Sequence, residues 1–222
     1  MLHAVRRRAR PYFEDAPPAH DWHHVERVGA LAEALIDRCA QPQSQTQTPS
    51  QSDVIDPQIV YLAVFLHDIG REREDRGEID DHAIWGAGEA ARILEAVGAT
   101  GETIECVQHC VRAHRYSNAI EPETLEAKLV SDADNLDALG AVGIARVFAH
   151  GGALGQPMFD PGVPVADDES TAGQTQYNHL HKKILDLPER MYTDVGRELA
   201  TARAQFVRDY LEQFDAEVGG DR

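Results

Sequence analysis

His67-Asp68 closes the run Val60-Tyr61-Leu62-Ala63-Val64-Phe65-Leu66, so an imidazole and a carboxylate stand side by side at the end of an apolar segment. Burying such groups is costly unless they are paired or hold a cation. A nitrogen-plus-oxygen ligand set suits manganese, iron, zinc, nickel or magnesium and leaves coordination positions open for water. Taken alone, the dipeptide also suits an imidazole bonded to its neighbour at a helix end. Two further segments tilt the balance toward a metal. His24 falls in line with Val28, Leu31 and Leu35, at steps of four, seven and eleven along one apolar helical face. The stretch Ser131-Asp132-Ala133-Asp134-Asn135-Leu136-Asp137 crowds three acids into six residues, with Asp134 on the face of Val130, Asp137 and Ala138. Convergence of these three segments on one metal ion explains all of them together.

The elements that must position these residues read as helices. Val25, Val28, Leu31, Ala32, Leu35 and Ile36 recur with a period near 3.6 between His20 and Cys39. A polar tract rich in Gln, Ser, Thr and Pro follows over 41–56, a loop or insertion with too little apolar surface to offset its ordering entropy. Asp56 is placed to cap a helix that has Pro57 at its first position and ends near Gly70. Arg71 to Asp80 is charged, contains Gly77 and reads as a loop. Helices are expected at about 82–97, 102–115, 122–138 and 140–149, punctuated by Gly98, Pro122 and Gly140. Gly151 to Gly173 reads as a long loop of the kind that forms lids or substrate-binding elements. Closing helices are expected over 174–216, at about 174–187 and 190–216 on either side of Pro188. Without an internal repeat or a convincing strand pair, the expectation is one all-α domain spanning 1–222, with a metal site between its core helices.

Composition narrows the function classes. The 222 residues carry a net charge of −17, which disfavours nonspecific binding to nucleic acid because its phosphates are repelled. A phosphate-bearing substrate would then depend on a bound cation for much of its local positive charge. No stretch approaches the ~20 consecutive apolar residues of a membrane span, and the Arg-rich start lacks an apolar segment, so a cytoplasmic location is expected. Cys39, Cys106 and Cys110 are too few and odd in number for a disulfide framework. Cys106 and Cys110 lack a second Cys/His pair to complete a zinc site and read as small packed side chains.

The motifs resemble those of a known superfamily. His20-Asp21-Trp22-His23-His24-Val25-Glu26-Arg27-Val28 resembles the HDxxHxxRV opening of HD-domain phosphohydrolases, and Leu66-His67-Asp68-Ile69-Gly70 resembles their namesake step. Asp132-Ala133-Asp134-Asn135-Leu136-Asp137-Ala138 resembles their late DADxLDA segment. The stretches 133–152 and 178–185 (NHLHKKIL) are similar to a bacterial and archaeal subgroup of small stand-alone members. The resemblance covers roughly residues 5 to 215 apart from the polar insertion, and it implies a helical HD-domain fold. It departs at Asn135, where the subgroup commonly has Arg.

By this resemblance His24, His67, Asp68 and Asp134 ligate one divalent metal, with His23 and Asp132 the rivals for two of those places. Mn2+ is the favoured ion, with Mg2+, Ni2+, Fe2+, Co2+ and Zn2+ as alternatives. His82 and His114 match histidines that some HD proteins use for a second metal or a phosphate contact, and both also suit ordinary structural positions. Asp68 could take a proton from the attacking water. Arg27 could pair with an acid of the site or contact a phosphate. Lys183 is a candidate phosphate contact, although Lys182 and Lys183 equally suit a solvated helix face.

The implied activity is hydrolysis of a small phosphorylated substrate, a nucleotide, with nucleoside triphosphate pyrophosphohydrolysis as the specific reading. The alternatives are a nucleotidase, a cyclic-nucleotide phosphodiesterase, and a regulatory module that binds nucleotide or metal without turnover. No nucleic acid or membrane partner is expected. The oligomeric state is open, a homodimer being one reading.

Overall fold

The computed structural model describes residues 1–40, 54–115 and 119–220, all helix, turn and irregular chain with no strand among them. The insertion expected over 41–56 therefore lies largely outside the described residues. Two compact units divide the chain, Met1–Asp134 and Asn135–Arg222.

The first unit begins with α1 (Leu2–Ala9), an arginine-rich helix that buries only Val5 and Ala9 and was not expected from the sequence. Next, α2 (Trp22–Cys39) starts where Asp21 accepts the His24 backbone N–H, and buries His24, Val25, Val28, Ala32 and Leu35. Asp56 caps α3 (Pro57–Leu66) through the Gln58 N–H, with Pro57 at the first helical position as expected. This helix buries Ile59, Val60, Leu62, Ala63, Val64 and Leu66, residues drawn from nearly its whole circumference. It packs against α1, α2, α5 (His82–Glu95) and α6 (Gly101–Ala113), so its C-terminal end delivers His67 and Asp68 into the interior. Each fully buried Leu, Val or Ile of this helix contributes about 1.5–3 kcal/mol of transfer free energy.

The segment 71–80, expected as loop, contains one further helix, α4 (Arg71–Asp75). Its side chains pair locally: Arg71 Nε lies 3.1 Å from Asp75 Oδ1, and Arg76 meets Glu72. Gly70, which precedes it, sits against the start of α5. A Cβ on Gly70 would lie 2.9 Å from both the His82 carbonyl oxygen and Trp85 Cε3. Asp81 caps α5 by accepting the Ala83 and Ile84 N–H groups at 2.8 and 3.0 Å, and α5 packs along α6. The acid-rich α7 (Leu125–Asp137) then carries the chain out of the first unit.

In the second unit α8 (Gly140–Ala153) continues beyond the expected end near residue 149. The glycines there permit close packing and do not stop the helix: a Cβ on Gly151 would fall 2.1 Å from Gln176 Cδ. The loop that follows is pinned by Asp168. Its carboxylate accepts from Ser170 N, Ser170 Oγ, Gln174 N and Asn178 Nδ2, and it is held well below the usual carboxylate range, first by the Ser170 hydroxyl. The closing helix expected at 174–187 is broken into α9 (Gln176–His179), a π-helical turn over Leu180–Ile184 and a 3-10 turn over Leu187–Arg190. The long α10 (Asp194–Val218) packs on α8, and Phe148, Phe159, Tyr177, Tyr210 and Phe214 form a linked aromatic cluster.

Candidate metal centre

Asp68 is the hub of the first unit. Its two carboxylate oxygens face different groups of imidazoles. Oδ2 lies 3.5 Å from His24 Nε2, 3.7 Å from His67 Nε2 and 3.2 Å from His20 Nδ1. Oδ1 lies 3.2 Å from His82 Nε2 and 3.5 Å from His114 Nε2. On the first side Asp134 Oδ1 completes the group, 3.4 Å from His24 Nε2 and 3.9 Å from His67 Nε2. Among the described residues, three sets of ligand atoms are close enough to hold a metal ion: His20, His24 and Asp68; His24, His67 and Asp134; and Asp68, His82 and His114.

Burial is nearly complete. His24 and His67 are fully buried, His82 and His114 are 2% exposed and Asp68 is 5% exposed. The Asp134 side chain, 25% exposed, and that of His20, 19% exposed, are the most open of the group.

The tautomers follow from the acceptors. His67 Nδ1 is 2.8 Å from the Val64 carbonyl and His114 Nδ1 is 2.7 Å from the Val111 carbonyl. A carbonyl only accepts, so each Nδ1 carries the proton and each Nε2 presents a lone pair. His82 likewise directs Nδ1 at the Glu74 carboxylate. The Nε2 atoms of His82 and His114 are then 3.3 Å apart, and those of His24 and His67 are 3.2 Å apart. The lone pairs of His82 and His114 thus face each other beside Asp68 Oδ1 and repel unless a cation lies among them, whereas the His24–His67 contact can be bridged by a cation or by a proton on His24. The donor set of imidazole nitrogens and carboxylate oxygens therefore fits divalent first-row metals and magnesium.

Electrostatics agree with this geometry. Burial drives the His67 pKa down to about 4 against the opposing pull of Asp68 and Asp134, so the ring is neutral at pH 7 and free to ligate. Burial alone would raise the Asp68 carboxyl, but the imidazoles around it, His67 foremost, hold it well below the usual range. Asp134 is lowered in the same way, its burial outweighed chiefly by His67 and His24. His82 is raised, because Asp68 and Glu74 outweigh its desolvation.

His24, His67, Asp68, Asp134, His82 and His114 are thus brought together. The rival His23 is exposed and pairs with Glu26 at 3.3 Å. Asp132 is buried but belongs to none of the three ligand sets, and Asp137 pairs with Arg146 at 3.0 Å. Arg27 follows His24 by one turn of α2 and is half-buried. Lys183 lies on the π-helical turn of the second unit, and its neighbour Lys182 bonds the Asp168 and Ser170 carbonyls in place of a solvated face. His109 accepts the Glu123 N–H at 2.9 Å, a structural role. Cys106 and Cys110 are free thiols, and burial pushes Cys110 up to about 12.

Sequence reasoning missed three contributors. His20 stood in the quoted opening motif; it precedes the Asp21 cap of α2, and its ring centre lies 5.6 Å from that of His24. Glu74 lies on α4, in the charged stretch whose sequence reads as a loop. Arg71 follows Asp68 by three residues; burial would lower its pKa, but the nearby charges of Asp68, Asp75 and Glu74 raise it.

The family model described as HD domain matches residues 21–139. The uncharacterized protein YpgQ of Bacillus subtilis (strain 168) is 30% identical over 220 residues, covering 97% of this chain and 93% of that protein. A crystal structure of B. subtilis YpgQ in complex with ADP superposes with a TM-score of 0.71 at 27% identity, covering 99% of both chains. An HD-superfamily hydrolase from Bacillus thuringiensis superposes with a TM-score of 0.71 at 29% identity, covering 98% of this chain and 96% of the other.

Proposed function

The chain belongs to the HD-domain family, and from that premise we propose that it is a metal-dependent phosphohydrolase acting on nucleotides, specifically a nucleoside triphosphate pyrophosphohydrolase. The observation that carries the metal-dependent reading is the division of labour at Asp68, whose Oδ2 faces His24 and His67 while Oδ1 faces His82 and His114. One cation would be held by His24, His67, Asp68 and Asp134, and a second by Asp68, His82 and His114. When bound, such cations polarise a phosphate oxygen and lower the pKa of a coordinated water toward neutrality. The nucleotide class is supported by the similarity to YpgQ, whose structure was solved with ADP.

The protein's own groups have distinct tasks in this reading. Asp134 and His20 form the accessible edge through which substrate and water reach the buried ligands. His20, bonded through Nδ1 to Asp68 Oδ2, can move a proton between that carboxylate and solvent. Arg71 and Arg27 supply fixed positive charge for phosphate oxygens, which Asn135 does not provide. Such cations matter in a chain of net charge −17.

The deciding experiment is a nucleotide panel with added Mn2+, with products resolved by ion-exchange chromatography. Pyrophosphate together with a nucleoside monophosphate is the expected result. Orthophosphate as the sole released anion would make the protein a nucleotidase instead. Cyclic nucleotides alone being opened would make it a phosphodiesterase. Protein that holds its metal yet releases no product would be a binding module.

A further inference from the structure

His82 occupies a position where its helix cannot orient it. His67 and His114 each donate Nδ1–H to a carbonyl three residues earlier, Val64 and Val111, within or at the end of their own helices. His82 is the first residue of α5, so no helical carbonyl stands one turn behind it. Its acceptor comes from another helix. Glu74 Oε2, on α4, accepts the His82 backbone N–H at 2.8 Å and the ring Nδ1–H as well.

The Glu74 carboxylate is itself fixed. Arg115 Nη1 reaches its two oxygens at 3.0 and 3.1 Å and also lies 3.4 Å from Asp81 Oδ2, the cap of α5. Desolvation would raise the Glu74 pKa, but the His82 hydrogen bonds and the Arg115 charge bring it below the usual range. Arg115 and the His82 backbone N–H thus hold Glu74 in place, the arrangement that orients and strengthens metal-ligating imidazoles elsewhere.

A competition for one proton gives this contact its consequence. Asp68 Oδ1 stands 3.2 Å from His82 Nε2. Without Glu74, the neutral ring would place its proton on Nε2 and donate it to Asp68. That hydrogen bond would occupy the lone pair a cation needs. Glu74 meets the centre through His82, so the effect is expected to fall on the Asp68–His82–His114 side and to spare the His24, His67 and Asp134 side.

We propose that Glu74 is a positioning residue that keeps the His82 Nε2 lone pair directed at Asp68 Oδ1 and thereby sets the affinity of the Asp68–His82–His114 cluster for its divalent cation. The inference rests on the metal-centre reading above.

Two measurements test it, both in mildly alkaline buffer. The first records histidine 15N correlation spectra of the metal-free protein. The wild type is expected to show His82 protonated at Nδ1, and Glu74→Ala to shift it to the Nε2-protonated tautomer. The second titrates Mn2+ alone and follows binding stoichiometry. The wild type is expected to take two ions per chain. In Glu74→Ala the weaker site should lose about 10–100-fold in affinity while the tighter site is retained. Glu74→Gln, which keeps an acceptor oxygen, should recover most of that loss and guards against misfolding as the cause. An unchanged His82 tautomer in Glu74→Ala, equal weakening of both sites, or a Gln variant no better than Ala would overturn the proposal. A wild type that takes one ion overturns the two-ion reading and the affinity role with it; the tautomer then shows separately whether Glu74 orients the ring.

Discussion

The Nε2 atoms of His24 and His67 stand 3.2 Å apart on fully buried rings. His67 has committed its proton to the Val64 carbonyl. In metal-free protein only a proton on His24 can bridge the two nitrogens, and a divalent cation does so with two carboxylates in support. Chelation with EDTA is therefore expected to lower the melting temperature, and Mn2+ in excess of the chelator to restore it. At a free ion concentration of 100 Kd the stabilisation is about 2.7 kcal/mol. Superimposable melting curves with and without the ion would defeat a shared cation at this pair.

A buried ligand histidine and an exposed rival should behave in opposite ways. His67→Ala is expected to abolish both metal retention and turnover, because it deletes a ligand that no neighbour can replace. His23, on an exposed surface beside Glu26, should tolerate Ala within about 0.5 kcal/mol of stability and with metal content unchanged. Elemental analysis of the two purified variants checks this directly, and a metal-replete His67→Ala protein would contradict it.

Gly70 should not accept even one methyl group. The added Cβ would press on the His82 carbonyl and Trp85 at 2.9 Å, and the carbonyl is backbone that cannot swing aside. Gly70→Ala is expected to cost about 1–3 kcal/mol in urea denaturation, and to weaken Mn2+ binding by displacing His82. A variant as stable as the wild type would mean that α5 shifts freely.

Three weakly acidic groups predict a loss of stability at high pH. Burial pushes Cys110 from 9.0 to about 12, and burial with Glu89 and Asp215 respectively pushes Tyr12 and Tyr177 from 10.0 to about 12. Between pH 9 and 12 the folded chain then binds more protons than the unfolded chain. Stability is full below that window and falls as pH rises through it. Cys110→Ala should flatten the decline in the denaturation midpoint measured across it, and an identical slope in the variant would exclude Cys110 as a contributor.

Much of this centre was legible in the sequence because its signals are local. Asp21, Asp56 and Pro57 mark helix starts by side-chain chemistry that acts within one turn, and the apolar stripe of α2 separated His24 from His23. Glu74 was not legible, because its task depends on α5 returning over a charged segment that has no apolar periodicity of its own. The same holds for α1, where Val5 and Ala9 are the whole buried stripe among arginines. The helix expected at 174–187 failed for a different reason: Leu180–Ile184 widens into a π-helical turn, which an apolar pattern with a 3.6-residue period does not encode.

The bonds from His67 to Val64 and from His114 to Val111 bear on when the centre is ordered. Each ring is locked by a carbonyl one turn behind it, so its orientation is a by-product of helix formation. The rotational freedom of these ligands is lost during folding, before any ion arrives. Ion capture then carries little entropic penalty from these two side chains, and the coordination angles they offer are set in advance. A metal held there would be selected by size and geometry, since the helix-bound imidazoles cannot rearrange to suit each ion.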